Sequence, residues 1–169
     1  IGFIDLEGNW VITPIYDKAK AFSKNLAPVC VGSKWGYINP KAEFVIEPTY
    51  SDAEVFSPNG LAPVKEKNWG FINETGKIII PTQYGITANG IVALFVQHDK
   101  GFIDGVARVK NEGKWGFLKP DGTVLSNQWF ENAELFSKGA EKIQATETVS
   151  EKPKAETKPA AKPATKKKK

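Results

Sequence analysis

The sequence contains one cysteine, Cys30, one histidine, His98, and no methionine. A single cysteine excludes an internal disulfide. One cysteine with one histidine supplies too few soft ligands for a zinc centre, and leaves little for a histidine-dependent triad. No uncharged apolar run approaches the roughly 18 residues a membrane-spanning helix requires, and no stretch has the form of a secretion signal. What is present is 41% hydrophobic and 11% aromatic over 169 residues, enough for one core or a short repeat array.

Charge is unevenly divided. The formal net charge is +4, yet residues 138–169 hold ten lysines against four glutamates, a local +6 that leaves the rest of the chain at −2. That stretch has no aromatic residue, and Ile143 and Val149 are its only large aliphatics. It cannot bury enough apolar surface to offset about 1–2 kcal/mol of backbone entropy per ordered residue, which predicts a disordered tail. Pro153, Pro159 and Pro163, together with the run Lys166, Lys167, Lys168 and Lys169, favour extended conformations. A solvated spacer is one reading of the tail. The other is a polybasic arm for nucleic acid, anionic lipid or an anionic wall polymer.

Residues 1–137 repeat. Ile1-Gly2-Phe3-Ile4-Asp5, Trp35-Gly36-Tyr37-Ile38-Asn39 and Trp69-Gly70-Phe71-Ile72-Asn73 begin 34 residues apart, and Trp115-Gly116-Phe117-Leu118 returns later. Val11-Ile12 with Pro14 and Tyr16 recurs as Val45-Ile46 with Pro48 and Tyr50, then as Ile79-Ile80 with Pro81 and Tyr84. Ala19 and Phe22 recur as Ala53 and Phe56, and as Ala133 and Phe136; Leu26-Ala27-Pro28-Val29 recurs as Leu61-Ala62-Pro63-Val64. A fixed period of this size marks stacked supersecondary units.

The third interval is longer, from Trp69 to Trp115. It admits a 12-residue insertion after Tyr84. It also admits a truncated unit starting at Lys100, since Gly101-Phe102-Ile103-Asp104 is identical to residues 2–5 and Ile91–Leu94 precedes it as Leu61–Val64 precedes Trp69. The second reading fits more residues, with Lys100 at the tryptophan position and Asp104-Gly105 as a two-residue hairpin turn into Val106–Val109. Units then begin near 1, 35, 69, 100 and 115.

Within a unit the pattern predicts three antiparallel strands, such as Leu61–Val64, Trp69–Asn73 and Ile78–Ile80, separated by turns at 65–68 and 74–76. Pro28 and Pro63 place the first strand at an edge, or turn its nitrogen away from the ladder. The three-residue spacing of Tyr16, Ala19 and Phe22 predicts a short helical or irregular link to the next unit. Glycine after each tryptophan leaves bare backbone in a strand, which a neighbouring indole can cover. We therefore expect Trp35, Trp69 and Trp115 to shield Gly36, Gly70 and Gly116 and to pack against the next unit. An aromatic platform for sugar rings is the functional alternative.

The spacing of WG[FY]IN, VIxPxY, FSxxLAPV and K-x-W-G resembles the bacterial WG-repeat (KWG) family of tandem β-repeat proteins over about residues 1–137. Ile1 and Lys100 depart from tryptophan, and Ser126 stands near a proline position. The resemblance implies β-rich repeat modules, often beside other domains, and no catalytic residues to transfer. We expect an all-β array of stacked meanders, open and solenoid-like, with a propeller-like ring as the alternative. Because Ile1 takes a tryptophan position with no strand before it, a C-terminal piece of a longer array is expected.

Catalytic patterns are weak. Cys30 sits in an apolar strand context and His98 in a turn-like sequence, Gln97-His98-Asp99-Lys100. Asp5, Asp17, Glu47, Asp52, Asp104 and Asp121 occupy turn or strand-end positions where carboxylates are expected on structural grounds. No P-loop or dinucleotide motif is present. The sequence therefore points to a chain without catalytic, cofactor or metal residues. Its signature positions, Pro14, Tyr16, Trp35, Gly36, Pro48, Tyr50, Trp69, Gly70, Trp115 and Gly116, are read as structural. The function expected is a scaffold that binds another protein. The alternative is an envelope-polysaccharide or anionic-polymer module using Lys166–Lys169; nucleic acid is not the partner expected. The compartment, envelope or cytoplasm, stays open.

Overall fold

Successive hairpins of β-branched and aromatic residues become successive small antiparallel sheets. The structure, a computed structural model, describes residues 1–86 and 100–131. The expectations for Ile91–Leu94, His98, Ala133, Phe136 and the tail 138–169 lie outside the described residues. The first sheet pairs β1 (Phe3–Ile4) with β2 (Trp10–Ile12). The second is a meander of β3 (Lys18–Ala19), β4 (Ala27–Val31), β5 (Lys34–Ile38) and β6 (Phe44–Tyr50). The third repeats it with β7 (Asp52–Ala53), β8 (Leu61–Lys65), β9 (Trp69–Asn73) and β10 (Ile78–Tyr84). The fourth has β11 (Phe102–Ile103), β12 (Val106–Asn111) and β13 (Lys114–Leu118). Asp104 and Gly105 both take positive φ, 49° and 85°, and make the tight turn between β11 and β12.

The two central sheets have four strands where the sequence predicts three. The stretch expected to be helical or irregular supplies β3 and β7 instead, because its backbone finds partners on β4 and β8. Asp17 N and Lys20 N donate to Cys30 O and Pro28 O, and Ser51 N and Glu54 N to Lys65 O and Pro63 O. Pro28 and Pro63 therefore lie on interior strands with the nitrogen turned away from β5 and β9. Lacking an N–H to return, each proline ends the short strand beside it after Ala19 or Ala53.

Period-two alternation decides which residues glue sheets together. On β5, Trp35 and Tyr37 face the third sheet, in a core with Ala62, Val64 and Ile72. Ile38 faces the other way, toward Ile12 and Tyr16, with Ala27 and Val29 of its own sheet. On β9, Trp69 and Phe71 meet Ala107, Val109 and Leu118 of the fourth sheet. Tyr37, Ile38, Phe71, Ile72 and Leu118 are wholly buried, and each aliphatic or phenylalanine among them stabilises by about 1.5–3 kcal/mol. Each core joins one sheet to the next, and among the described residues none joins the first sheet to the fourth. The array is open.

Glycine follows tryptophan for a reason other than indole shielding. A Cβ on Gly36 would lie 2.5 Å from Ile46 O and 2.8 Å from Pro48 N, and on Gly70 2.5 Å from Ile80 O and 2.7 Å from Thr82 N. Gly2 meets the backbone of Ile12, Thr13 and Pro14 in the same way. The register explains it: Trp35 pairs with Tyr50 but Tyr37 with Ile46, so extra residues of β6 fold over Gly36. Only side-chain-free backbone fits beneath that bulge. Gly116 is the exception, covered by the ring of Trp129, with its would-be Cβ 2.6 Å from that indole.

Candidate functional site

The signature tryptophans are buried in the stack. Trp35, Trp69 and Trp115 are only 4–8% exposed, and Tyr16 and Tyr50 are likewise buried. Pro14 is exposed and Pro48 half-buried, both beside the close-packed glycine backbone. Each indole carries a cation over its remaining open face. Lys20 Nζ lies 4.9 Å from the Trp35 ring centroid, Lys100 Nζ 4.8 Å from that of Trp69, and the Arg108 guanidinium 3.7 Å from that of Trp115.

The two lysines belong to a ladder that crosses three sheets. Lys20 Nζ is 2.7 Å from Glu54 Oε2 and 3.6 Å from Asp52 Oδ1, while Lys100 Nζ is 2.6 Å from Glu54 Oε1 and 3.5 Å from Asp52 Oδ2. Lys20 Nζ also donates to Ala53 O at 2.7 Å. Burial alone would lower the Lys100 pKa, but the hydrogen bond and charge of Glu54, with the charge of Asp52, outweigh it and the pKa is raised. Lys20, Glu54 and Lys100 each stand two residues before a phenylalanine: Phe22, which is partly exposed, and the buried Phe56 and Phe102. The alternation Lys, Glu, Lys at that position was the sequence signal for the ladder, and it escapes notice because Lys100 aligns more obviously with tryptophan.

Phe102 shows where residues 100–103 sit. Its ring centroid is 5.1 Å from that of Phe71, matching Phe56 against Tyr37 at 5.0 Å and Phe22 against Phe3 at 4.8 Å. Ser57 Oγ accepts from Phe102 N, and the equivalent Ser23 Oγ donates to Phe56 O. Phe102 thus takes the place of Phe22 and Phe56, although its four-residue context is identical to that of Phe3. In the same way Phe130, hydrogen-bonded in both directions to Trp115, takes the place of Tyr50 and Tyr84.

Four of the carboxylates considered for chemistry, Asp5, Asp17, Asp52 and Asp121, make structural contacts. Asp5 Oδ1 accepts from Glu7 N and Asn9 N, and these backbone bonds, that of Asn9 foremost, hold its pKa below the usual range. Asn39 and Asn73 brace the equivalent turns. Asp121 is lowered by the side-chain and backbone hydrogen bonds of Thr123. Asp17 Oδ2 accepts from Gly32 N, and Asp52 is held by the two lysines. Cys30 is buried. Among the described residues no group of three or more His, Cys, Asp or Glu side chains is placed to hold a metal ion.

What the stack leaves open is apolar and periodic. β2, β6 and β10 are edge strands of their sheets. At the start of each, register shifts insert one extra residue: Val11, Val45 and Ile79. A bulge re-aims its side chain off the regular pleat. With their neighbours Trp10, Phe44 and Ile78 these residues are 37–59% exposed, so two large apolar groups recur at equivalent positions of three successive sheets. The second bulge, at Pro48, interrupts the β6 edge, so the strip offers side chains rather than a free ladder.

Comparison with curated proteins and with solved structures gave no match. The sequence model of a family described as WG containing repeat matches residues 1–35, 35–68, 69–85 and 100–115. These segments cover more than half of the chain and coincide with the hairpins, bulges and ring pairs described above, and the chain belongs to the WG containing repeat family.

Proposed function

We propose that this chain is a non-catalytic repeat scaffold that binds another protein along its apolar edge strip. The observation that carries the reading is the recurrence of an exposed β-branched bulge residue, Val11, Val45 and Ile79, at the edge of three stacked sheets. Isolated exposed apolar residues are ordinary, but a contiguous periodic patch is a feature of interaction surfaces. Repeat arrays present such extended surfaces because each unit contributes the same position. Burial of Trp35, Trp69 and Trp115 favours the protein-binding reading over sugar stacking at the signature rings.

The test is site-specific photo-crosslinking in the cell of origin, with benzoylphenylalanine at position 45 or 79 and, as control, at the exposed Lys34 on the β4–β5 hairpin. Protease-sensitive adducts at 45 and 79 and not at 34 are expected. Adducts equal at all three positions, or formed only with polysaccharide, contradict the reading.

A further inference from the structure

Apolar contacts alone do not tell the units of this array apart. The second sheet presents Trp35, Tyr37 and Ile46 to Ala62, Val64 and Ile72 of the third. The third presents Trp69, Phe71 and Ile80 to Ala107, Val109 and Leu118 of the fourth. Ile46 and Ile80 also reach equivalent turn glycines, lying 3.2 Å from a would-be Cβ on Gly76 and 3.4 Å from one on Gly122. Apolar faces of matching size and pattern substitute for one another at little cost. The receiving face of the fourth sheet therefore fits the second sheet as well as it fits the third. Assembly of units in the wrong order is a characteristic failure of repeat proteins.

Charge does tell them apart. Lys20, Glu54 and Lys100 stand at equivalent positions, two residues before Phe22, Phe56 and Phe102, whose rings take the same kind of site. In the observed order both lysines meet Glu54, at 2.7 and 2.6 Å, and both flank Asp52, at 3.6 and 3.5 Å. With the fourth sheet in the place of the third, Lys20 would face Lys100 and attraction would become repulsion. The three side chains are 19–29% exposed, so water and salt screen that repulsion less than they would at an open surface. The sequence carries the alternation one step further, with Glu134 two residues before Phe136, outside the described residues. Fixing register is the best-attested use of partly buried charges. We propose that the residue two positions before this phenylalanine is a stacking selector: the alternation Lys20, Glu54, Lys100 sets the order of the sheets and rejects direct contact between the second and the fourth.

The test is refolding of the full chain from denaturant at about 50 μM, a concentration at which mis-stacked sheets with open edges associate. Size-exclusion elution and tryptophan emission are compared with those of protein never unfolded. The variant Lys20→Gln/Asp52→Asn/Glu54→Gln/Lys100→Gln removes the charges. The variant Lys20→Glu/Asp52→Asn/Glu54→Lys/Lys100→Glu inverts them. Ile72→Val trims the core between the same sheets, with a loss of stability of the same order, and leaves the charges in place. The parent, the inverted variant and Ile72→Val are expected to regain the native elution volume with yields that agree within twofold. The uncharged variant is expected to leave at least fivefold more material in larger species. An uncharged variant that refolds as cleanly as the parent overturns the proposal, and so does an inverted variant that refolds no better than the uncharged one. Ile72→Val refolding as poorly as the uncharged variant would trace the effect to stability alone, and likewise overturns it.

Discussion

Glu54 Oε1 receives the ammonium of Lys100 at 2.6 Å across 46 residues of chain, while its other oxygen holds Lys20 at 2.7 Å. One carboxylate therefore ties three successive sheets together, and the long third interval returns to the array at the position this contact requires. Lys100→Met is expected to lower stability by roughly 1–2 kcal/mol, summing a partly exposed ion pair and a cation–π contact. Combined with Glu54→Gln the loss should be less than additive, because both substitutions remove the same pair. Denaturant unfolding of the two single variants and the double variant measures this coupling.

The same contact gives a pH dependence. The Lys100 pKa is raised in the folded chain, so its contribution is complete below the unfolded value of 10.5 and is lost as pH rises through the folded one. Burial raises the phenol pKa values of Tyr16, Tyr37 and Tyr50 above 10.0, with the same sign. Thermal midpoints should be steady toward pH 9 and fall above 10, and Lys100→Met should fall less steeply. A steeper alkaline decline in that variant contradicts the assignment.

Gly36→Ala and Gly70→Ala should each cost about 1–3 kcal/mol or more, since the added methyl meets backbone that cannot rotate away. Gly116→Ala should be milder, because it meets a ring, Trp129, that can shift. Chemical denaturation of the three variants tests the order. Equal small effects at all three would restore indole shielding as the reason for the Trp-Gly pair.

Phe102→Ala should destabilise as Phe56→Ala does, by about 3–5 kcal/mol, because both rings fill the same kind of site against Phe71 and Tyr37. Ile103→Ala, at a half-exposed position, should change stability by under about 1 kcal/mol.

Much of this fold was legible in the sequence. The repeat at Trp35, Trp69 and Trp115, the strand Trp69–Asn73 and the Asp104-Gly105 turn follow from period, alternation and turn chemistry, which are local signals. The errors are non-local. Tyr16, Ala19 and Phe22 carry helical spacing, but backbone hydrogen bonds from Asp17 and Lys20 to the distant carbonyls of Cys30 and Pro28 override it. Gly36 is explained by the course of β6 around Pro48, which no neighbour in sequence reveals. The strip was hidden because Val45-Ile46 reads as a buried pair until the bulge shows that only Ile46 turns inward.

The central claim is that the edge strip serves a partner and not the fold. Its most direct test is photo-crosslinking at position 44 in the variant Val11→Glu/Val45→Glu/Ile79→Glu, alongside that variant's thermal midpoint. The account predicts loss of the protein adduct with a midpoint within about 6 °C of the parent chain, since three exposed substitutions at roughly 0.5 kcal/mol or less each change stability by at most about 1.5 kcal/mol. An undiminished adduct in the folded variant would contradict it.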